Sequence, residues 1–187
     1  MITEINTEMR LSEHFTLREL TKTRTGIENM PNEAQVENLK RVCQWLEQLR
    51  LRYNQMRNEN QRSTAEGKVK GEMRNGNEEM RNEVREYPII INSGFRSAAV
   101  NKAVGGATMS NHLTGCAVDI RCIGMEQALR YAAILLDISD LNREDYDELL
   151  IEQKGRVIWI HFAVRPSGNR RRTSLKLRSL LQRPKAD

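Results

Sequence analysis

The residues best suited to chemistry are His112 and Asp119, in the stretch Ser110-Asn111-His112-Leu113-Thr114-Gly115-Cys116-Ala117-Val118-Asp119, and His161, in Trp159-Ile160-His161. From Cys116 to Cys122 the residues alternate as in a half-buried strand, with Cys116, Val118, Ile120 and Cys122 on one side and Ala117, Asp119 and Arg121 on the other. The same test on 157–164 puts Ile158, Ile160, Phe162 and Val164 on one face and Val157, Trp159, His161 and Ala163 on the other. Two strands that bury their aliphatic faces in one core would turn Asp119 and His161 to the same side, with His112 in the loop leading into the first strand. Two imidazoles and a carboxylate are the donor set of a catalytic zinc site, where three protein ligands leave the fourth position to water or substrate. A single His is more often a satisfied core or surface residue, but two of this chain's three His fall into this one arrangement.

Several elements must position that trio. Thr16 caps a short helix with Glu19 as its capping-box partner and Phe15 against Leu20 as a staple, which gives the third imidazole, His14, a structural place. Pro31-Asn32-Glu33 opens a long helix whose stripe is Val36, Leu39, Cys43, Leu46, Leu49 and Tyr53. From 54 to 87 the composition changes to near-copies of Met-Arg-Asn-Glu or Met-Arg-Asn-Gly with seven basic and seven acidic residues. Such a low-complexity insertion cannot bury enough apolar area to offset its ordering entropy, so fluctuating helix at most is expected there. Pro88 to Asn92 reads as a short strand and 98–104 as a helical turn or two stopped by Gly105-Gly106. A helix over 125–138 should place Leu129, Ala132, Ala133 and Leu136 on a sheet-covering face. Strands over 146–153 and 157–164 make a hairpin through Lys154-Gly155-Arg156, with Glu148, Leu150 and Glu152 turned to the side of His161.

Composition narrows the class. The 187 residues suit one domain, and 39% hydrophobic with 29% charged residues is a soluble globular balance without any apolar run of membrane-spanning length. The N-terminus lacks the basic start, apolar stretch and small-residue cleavage site of a signal peptide, so synthesis in a cytoplasm is expected. Cys116 and Cys122 share a strand about 20 Å apart and cannot bridge, and with Cys43 they read as small buried hydrophobes. The net charge of +5 is uneven, because 165–187 alone carries eight Lys or Arg against one Asp. The basic character is that of a C-terminal tail.

Ser-x-His-x-x-Gly-x-Ala-x-Asp followed by Trp-x-His resembles the signature of the zinc D-alanyl-D-alanine carboxypeptidase and L-alanyl-D-glutamate endopeptidase family, whose site architecture is shared with the hedgehog signalling domain. The resemblance runs from Leu11 to Val164 apart from the insertion, where family members pass almost directly from helix to strand. It implies an α+β single domain, a small mainly antiparallel sheet packed by helices, over 1–164, which the composition interrupts with the insertion at 54–87 and follows with the tail at 165–187. It also implies a zinc metallopeptidase acting on peptidoglycan stem peptides, with the cell wall as its site of action, and phage lysins are among family members of this size. The Ser-Gly-Phe-Arg-Ser segment resembles the family's Ser-Gly-Tyr-Arg-Ser, which implies that Arg96 holds the substrate's carbonyl or carboxylate and stabilises developing charge. The implied ligands are His112, Asp119 and His161, with Ser110, Thr114 and Trp159 orienting them.

A catalytic acid lies a few residues before the family's last His, sometimes three and sometimes about six, and Ile158 occupies the third position here. Glu152, facing the right way on the preceding strand, is the expected base, with Glu148 in reserve. Two rivals remain open. One is a zinc-bearing module that binds without hydrolysis, as hedgehog relatives do. The other is nucleic-acid binding through Arg170-Arg171-Arg172, Lys176 and Arg178, against which stands the absence of interleaved aromatics or a recognition motif.

Overall fold

The computed structural model describes residues 6–69 and 85–178. Thr16 opens α1 (Leu17–Thr21) with the expected capping box, its side chain accepting from Glu19 N while the Glu19 carboxylate accepts from Thr16 N. His14 pairs with Glu47, its Nδ1 2.7 Å from Oε2. Asn32 and Gln35 exchange side-chain-to-backbone bonds of 2.7 and 2.9 Å and start α2 (Glu33–Val69), whose whole expected stripe from Val36 to Tyr53 is buried. The helix carries on through 54–69, the first half of the stretch read as an insertion. Asn54 ties its end of that stretch to the other, bonding both the N–H and the C=O of Tyr87. The repeat units at 73–83 lie outside the described residues.

A mixed five-stranded sheet forms from β1 (Ile91–Ser93), β2 (Ala117–Cys122), β3 (Glu148–Lys154), β4 (Val157–Ala163) and β5 (Arg172–Arg178) in the order β1-β2-β4-β3-β5. All neighbours are antiparallel except β3 and β5. α3 (Ala98–Ala103) and a 3₁₀ turn (Asn111–Thr114) precede β2, and α4 (Met125–Asn142) follows it. One face of the sheet, with Val118, Ile120, Leu149, Ile151, Ile160 and Phe162, packs with α2 and α4 into a single core. Trp45 stacks at 5.3 Å from Phe162, and Tyr53 meets Tyr131 edge-on at 4.7 Å. The three cysteines are free and buried, and burial pushes the Cys43 and Cys122 thiols up to about 12.

Three expectations need correction. On α4 the buried stripe is Ala128, Tyr131, Ile134, Leu135 and Ile138, while Leu129 is 56% exposed and Ala133 is exposed. Apolar residues surround this helix, so several stripes fit its sequence, and the bulk of Tyr131 against Tyr53 selects one. The first strand is shorter and later than expected, at Ile91–Ser93. Pro88 has no N–H for a ladder, and only Ile90 O extends the pairing, accepting from Arg121 N. Within the segment read as a basic tail, Arg172–Arg178 is a strand. Its charges alternate with Thr173, Leu175 and Leu177, the pattern of an edge strand that tolerates Lys and Arg.

Candidate metal and catalytic site

The face of the sheet opposite the core carries the trio. Asp119 and His161 are direct cross-strand partners on β2 and β4, and Leu150 on β3 continues the row. The third member arrives on the 3₁₀ turn, which α2 holds in place. Gln35 Nε2 donates to Leu113 O and Asn38 Nδ2 to Thr114 O. Gly115 closes the turn at φ 72°, and a Cβ there would meet Gln35 O at 2.5 Å, so only glycine lets the turn lie this close to the helix.

His112, Asp119 and His161 are all buried. His112 Nε2 lies 3.3 Å from Asp119 Oδ1 and 3.2 Å from His161 Nδ1, and His161 Nδ1 is 3.1 Å from the same Oδ1. The other nitrogen of each ring is committed. His112 Nδ1 donates to Gly94 O at 2.6 Å and His161 Nε2 to Glu148 Oε2 at 3.2 Å. Both partners are acceptors, so with the rings neutral, as metal ligands must be, the nitrogens facing the centre present lone pairs, as does Asp119 Oδ1. Three such acceptors this close are stable only around a positive charge, either a proton on His161 or a metal. Ligands at about 2.0–2.1 Å around a tetrahedral zinc stand about 3.3–3.4 Å apart, which matches the edges of this triangle. The donor set therefore fits zinc.

The electrostatics agree. Burial alone would lower the His161 imidazole, yet its bonds to Asp119 and Glu148 raise it to about 9. Burial would likewise raise Asp119, and the imidazoles of His112 and His161 hold its carboxyl well below the usual carboxylate range instead. Glu148 sits at about 2, chiefly because His161 donates to it. Without a metal, the proton that His161 holds supplies the positive charge between Asp119 and Glu148, and a bound metal would replace it.

Arg96 grips the second oxygen of Asp119 through Nη2 and braces itself on Ser93 Oγ at 2.8 Å. Ser93 opposes Asp119 where the β1–β2 ladder slips register, the kind of irregularity that re-aims side chains beside sites. Gly94, next along, has no room for a side chain, since a Cβ would lie 2.3 Å from Leu20 O. Of the expected orienting residues, Ser110 caps the 3₁₀ turn by accepting from His112 N, and Thr114 Oγ1 bonds Asn111 O. Both shape the turn; neither bond reaches a ligand imidazole. Trp159 Nε1 donates to Glu152 Oε2 at 3.0 Å.

The two carboxylates on β3 have different surroundings. Glu148 accepts from His161, from Asn111 Nδ2 at 3.2 Å, from Arg170 at 3.3 Å and from Arg172 at 3.0 Å. Glu152 is held by Trp159 and by Lys176 at 3.2 Å, and it lines an open cleft of about 570 Å³ together with the three candidate ligands, Arg96 and Glu148. Sequence reasoning missed the Gly94 carbonyl, Asn111 and the Arg170–Arg172 brace. Asn111 also bonds Asp147 at 2.8 Å, a buried carboxylate that takes two bonds from the Arg170 guanidinium. The alternation along 172–178 was the one available signal for that brace; a backbone carbonyl leaves none.

Among the described residues no helix is long and apolar enough to cross a membrane. No curated protein matches the chain. Residues 55–140 match the model of the Peptidase M15 family, a span that takes in Arg96, His112 and Asp119 and ends before Glu148, Glu152 and His161. Peptidases of this family are zinc-dependent, so the match and the buried His112-Asp119-His161 cluster together support a metallopeptidase.

Proposed function

We propose that the chain is a zinc peptidase that hydrolyses peptidoglycan stem peptides, as a D-Ala-D-Ala carboxypeptidase or an L-Ala-D-Glu endopeptidase of the phage-lysin kind. The observation that carries this reading is the triangle of His112 Nε2, Asp119 Oδ1 and His161 Nδ1, three inward-facing acceptors 3.1–3.3 Å apart beside an open cleft. These three atoms would hold the metal. Zinc, when bound, supplies Lewis acidity that polarises a carbonyl and makes water a stronger acid.

The chain's own groups do the rest. Glu152 takes the proton of the attacking water and passes it to the leaving amine. Trp159 Nε1 and Lys176 Nζ fix that carboxylate toward the cleft. Glu148, with His161, Asn111 and two arginines on it, orients the ligand imidazole rather than moving protons. Arg96 keeps Asp119 in place and offers its guanidinium to the carbonyl oxygen as charge builds there. The working unit runs past residue 164 to include β5, because Arg170, Arg172 and Lys176 brace both glutamates.

The test is release of peptides from purified peptidoglycan by the zinc-loaded protein, followed by mass spectrometry, with a chelated sample and Glu152→Ala alongside. Metal-dependent release names the bond. Glu152→Ala should retain zinc and lose most turnover, by about 10²-fold or more. A protein that binds one zinc per chain and releases nothing from several wall types is a binding module, and the peptidase reading is then wrong.

A further inference from the structure

The cleft's charge is unlike that of its metal-binding centre. Its lining includes five cationic side chains, Arg96, Lys154, Arg170, Arg172 and Lys176, against the three carboxylates of Asp119, Glu148 and Glu152. A divalent metal would add further positive charge. Most of the excess comes from β5 and the residues leading into it. Arg172 and Lys176 are in register with Glu148 and Glu152, so they share the cleft face with them, and Ser174 lies between at the register position of Leu150. Leu150 in turn pairs with His161, and His161 with Asp119. One row across the sheet thus runs from a candidate ligand pair to a small residue flanked by two cations. Each cation spends part of its hydrogen-bonding capacity on a glutamate, yet 53% of the Arg172 side chain and 38% of Lys176 remain exposed.

We infer that Arg172 and Lys176 form a specificity subsite for a free carboxylate carried by the peptide substrate, two to three residues from the bond that is cut. The inference rests on the peptidase reading and deepens it. β5 lies two strands from β4, or about 10 Å, and an extended peptide covers that distance in roughly three residues. Ser174 puts a small side chain between the two cations. A carboxylate seated there meets a planar guanidinium and an ammonium, the pair of donors suited to it. Neutral or basic peptides gain nothing from this wall and leave its positive charge unanswered.

The experiment uses a stem pentapeptide whose second and third residues carry free carboxylates and the same peptide with both amidated, each with its terminal carboxylate intact. Steady-state cleavage and fluorescence-anisotropy binding of labelled copies are measured on the zinc-loaded protein, on Arg172→Gln/Lys176→Gln, and on the charge-keeping Arg172→Lys/Lys176→Arg. For the native chain, the acid peptide should bind about tenfold more tightly than the amide, and the preference should shrink with added salt. The double Gln variant should lower kcat on both peptides alike, because it also frees Glu148 and Glu152, and should in addition raise KM for the acid peptide about tenfold relative to the amide, with one zinc per chain retained. The charge-keeping variant should retain the preference. Equal loss on both peptides without that added rise in KM would mean that the two residues only brace Glu148 and Glu152, and equal native binding of both would also overturn the subsite. If neither peptide is cleaved, the peptidase reading has failed on its own, and the binding arm still decides whether the wall selects carboxylates.

Discussion

The two faces of this sheet are built from the same strands and do different work. On one face Val118, Ile120, Ile160 and Phe162 are buried against α2 and α4; on the other, one residue along each strand, Asp119 and His161 converge with His112. The first face is apolar and packed from several elements, so any truncation leaves a cavity. The second is polar, and its members are satisfied by one another, by Arg96 and by the arginines of the 170–172 segment. The difference teaches that in this chain stability and chemistry are divided by strand parity, and substitutions on the two faces should separate cleanly.

The sharpest way to break that division is at a ligand. His161→Ala should abolish tight zinc binding, by at least about 10²-fold in affinity, and reduce peptide release to the chelated background, while the metal-free protein keeps its far-ultraviolet circular dichroism. Zinc retained at native affinity would remove the triangle from the account. From the other face, Phe162→Ala should cost about 3–5 kcal/mol, a fall in Tm of roughly 10 °C. Below its own Tm the variant should still bind zinc, which a titration at low temperature checks. A loss of zinc without a fall in Tm would show the faces to be coupled.

An intermediate effect is expected at Glu148, which touches a ligand without being one. Glu148→Ala should weaken zinc binding by about 10- to 100-fold, the usual cost of removing a ligand's hydrogen-bond partner, with little change in Tm. The smallest effect lies away from both faces, where Ser12 and His14 donate to Glu47. Burial opposes ionisation of Glu47, but these bonds outweigh it and hold its pKa below the ordinary value. A depressed carboxyl adds stability above its unfolded pKa and loses it as pH falls through the folded one. Glu47→Gln should therefore be less stable than the native chain by about 1 kcal/mol at neutral pH, with the gap closing toward acid pH, and zinc binding should be unaffected at any pH where the native chain binds it.

The parts of the molecule that could be read without coordinates share a short range. The capping box at Thr16 and Glu19, the α2 stripe and the facing of Asp119 and His161 all follow from spacings of two to four residues, over which backbone geometry repeats. Where several spacings fitted equally, as on α4, local pattern could not choose, and contact between Tyr131 and Tyr53 did. A cluster of arginines concealed β5 because composition outweighed alternation over so short a run.

The sequence by itself determined the donor types, the parity that turns them to one side and the helices that could carry the core, because each of these depends on neighbours along the chain. Only the tertiary structure decided that Asp119 and His161 are register partners, that Gly94 O and Glu148 turn the two imidazoles so that three lone pairs meet, and that the 170–176 segment returns to wall the cleft. Those are contacts between residues tens of positions apart, and their geometry exists only once the core has fixed how the elements lie against one another.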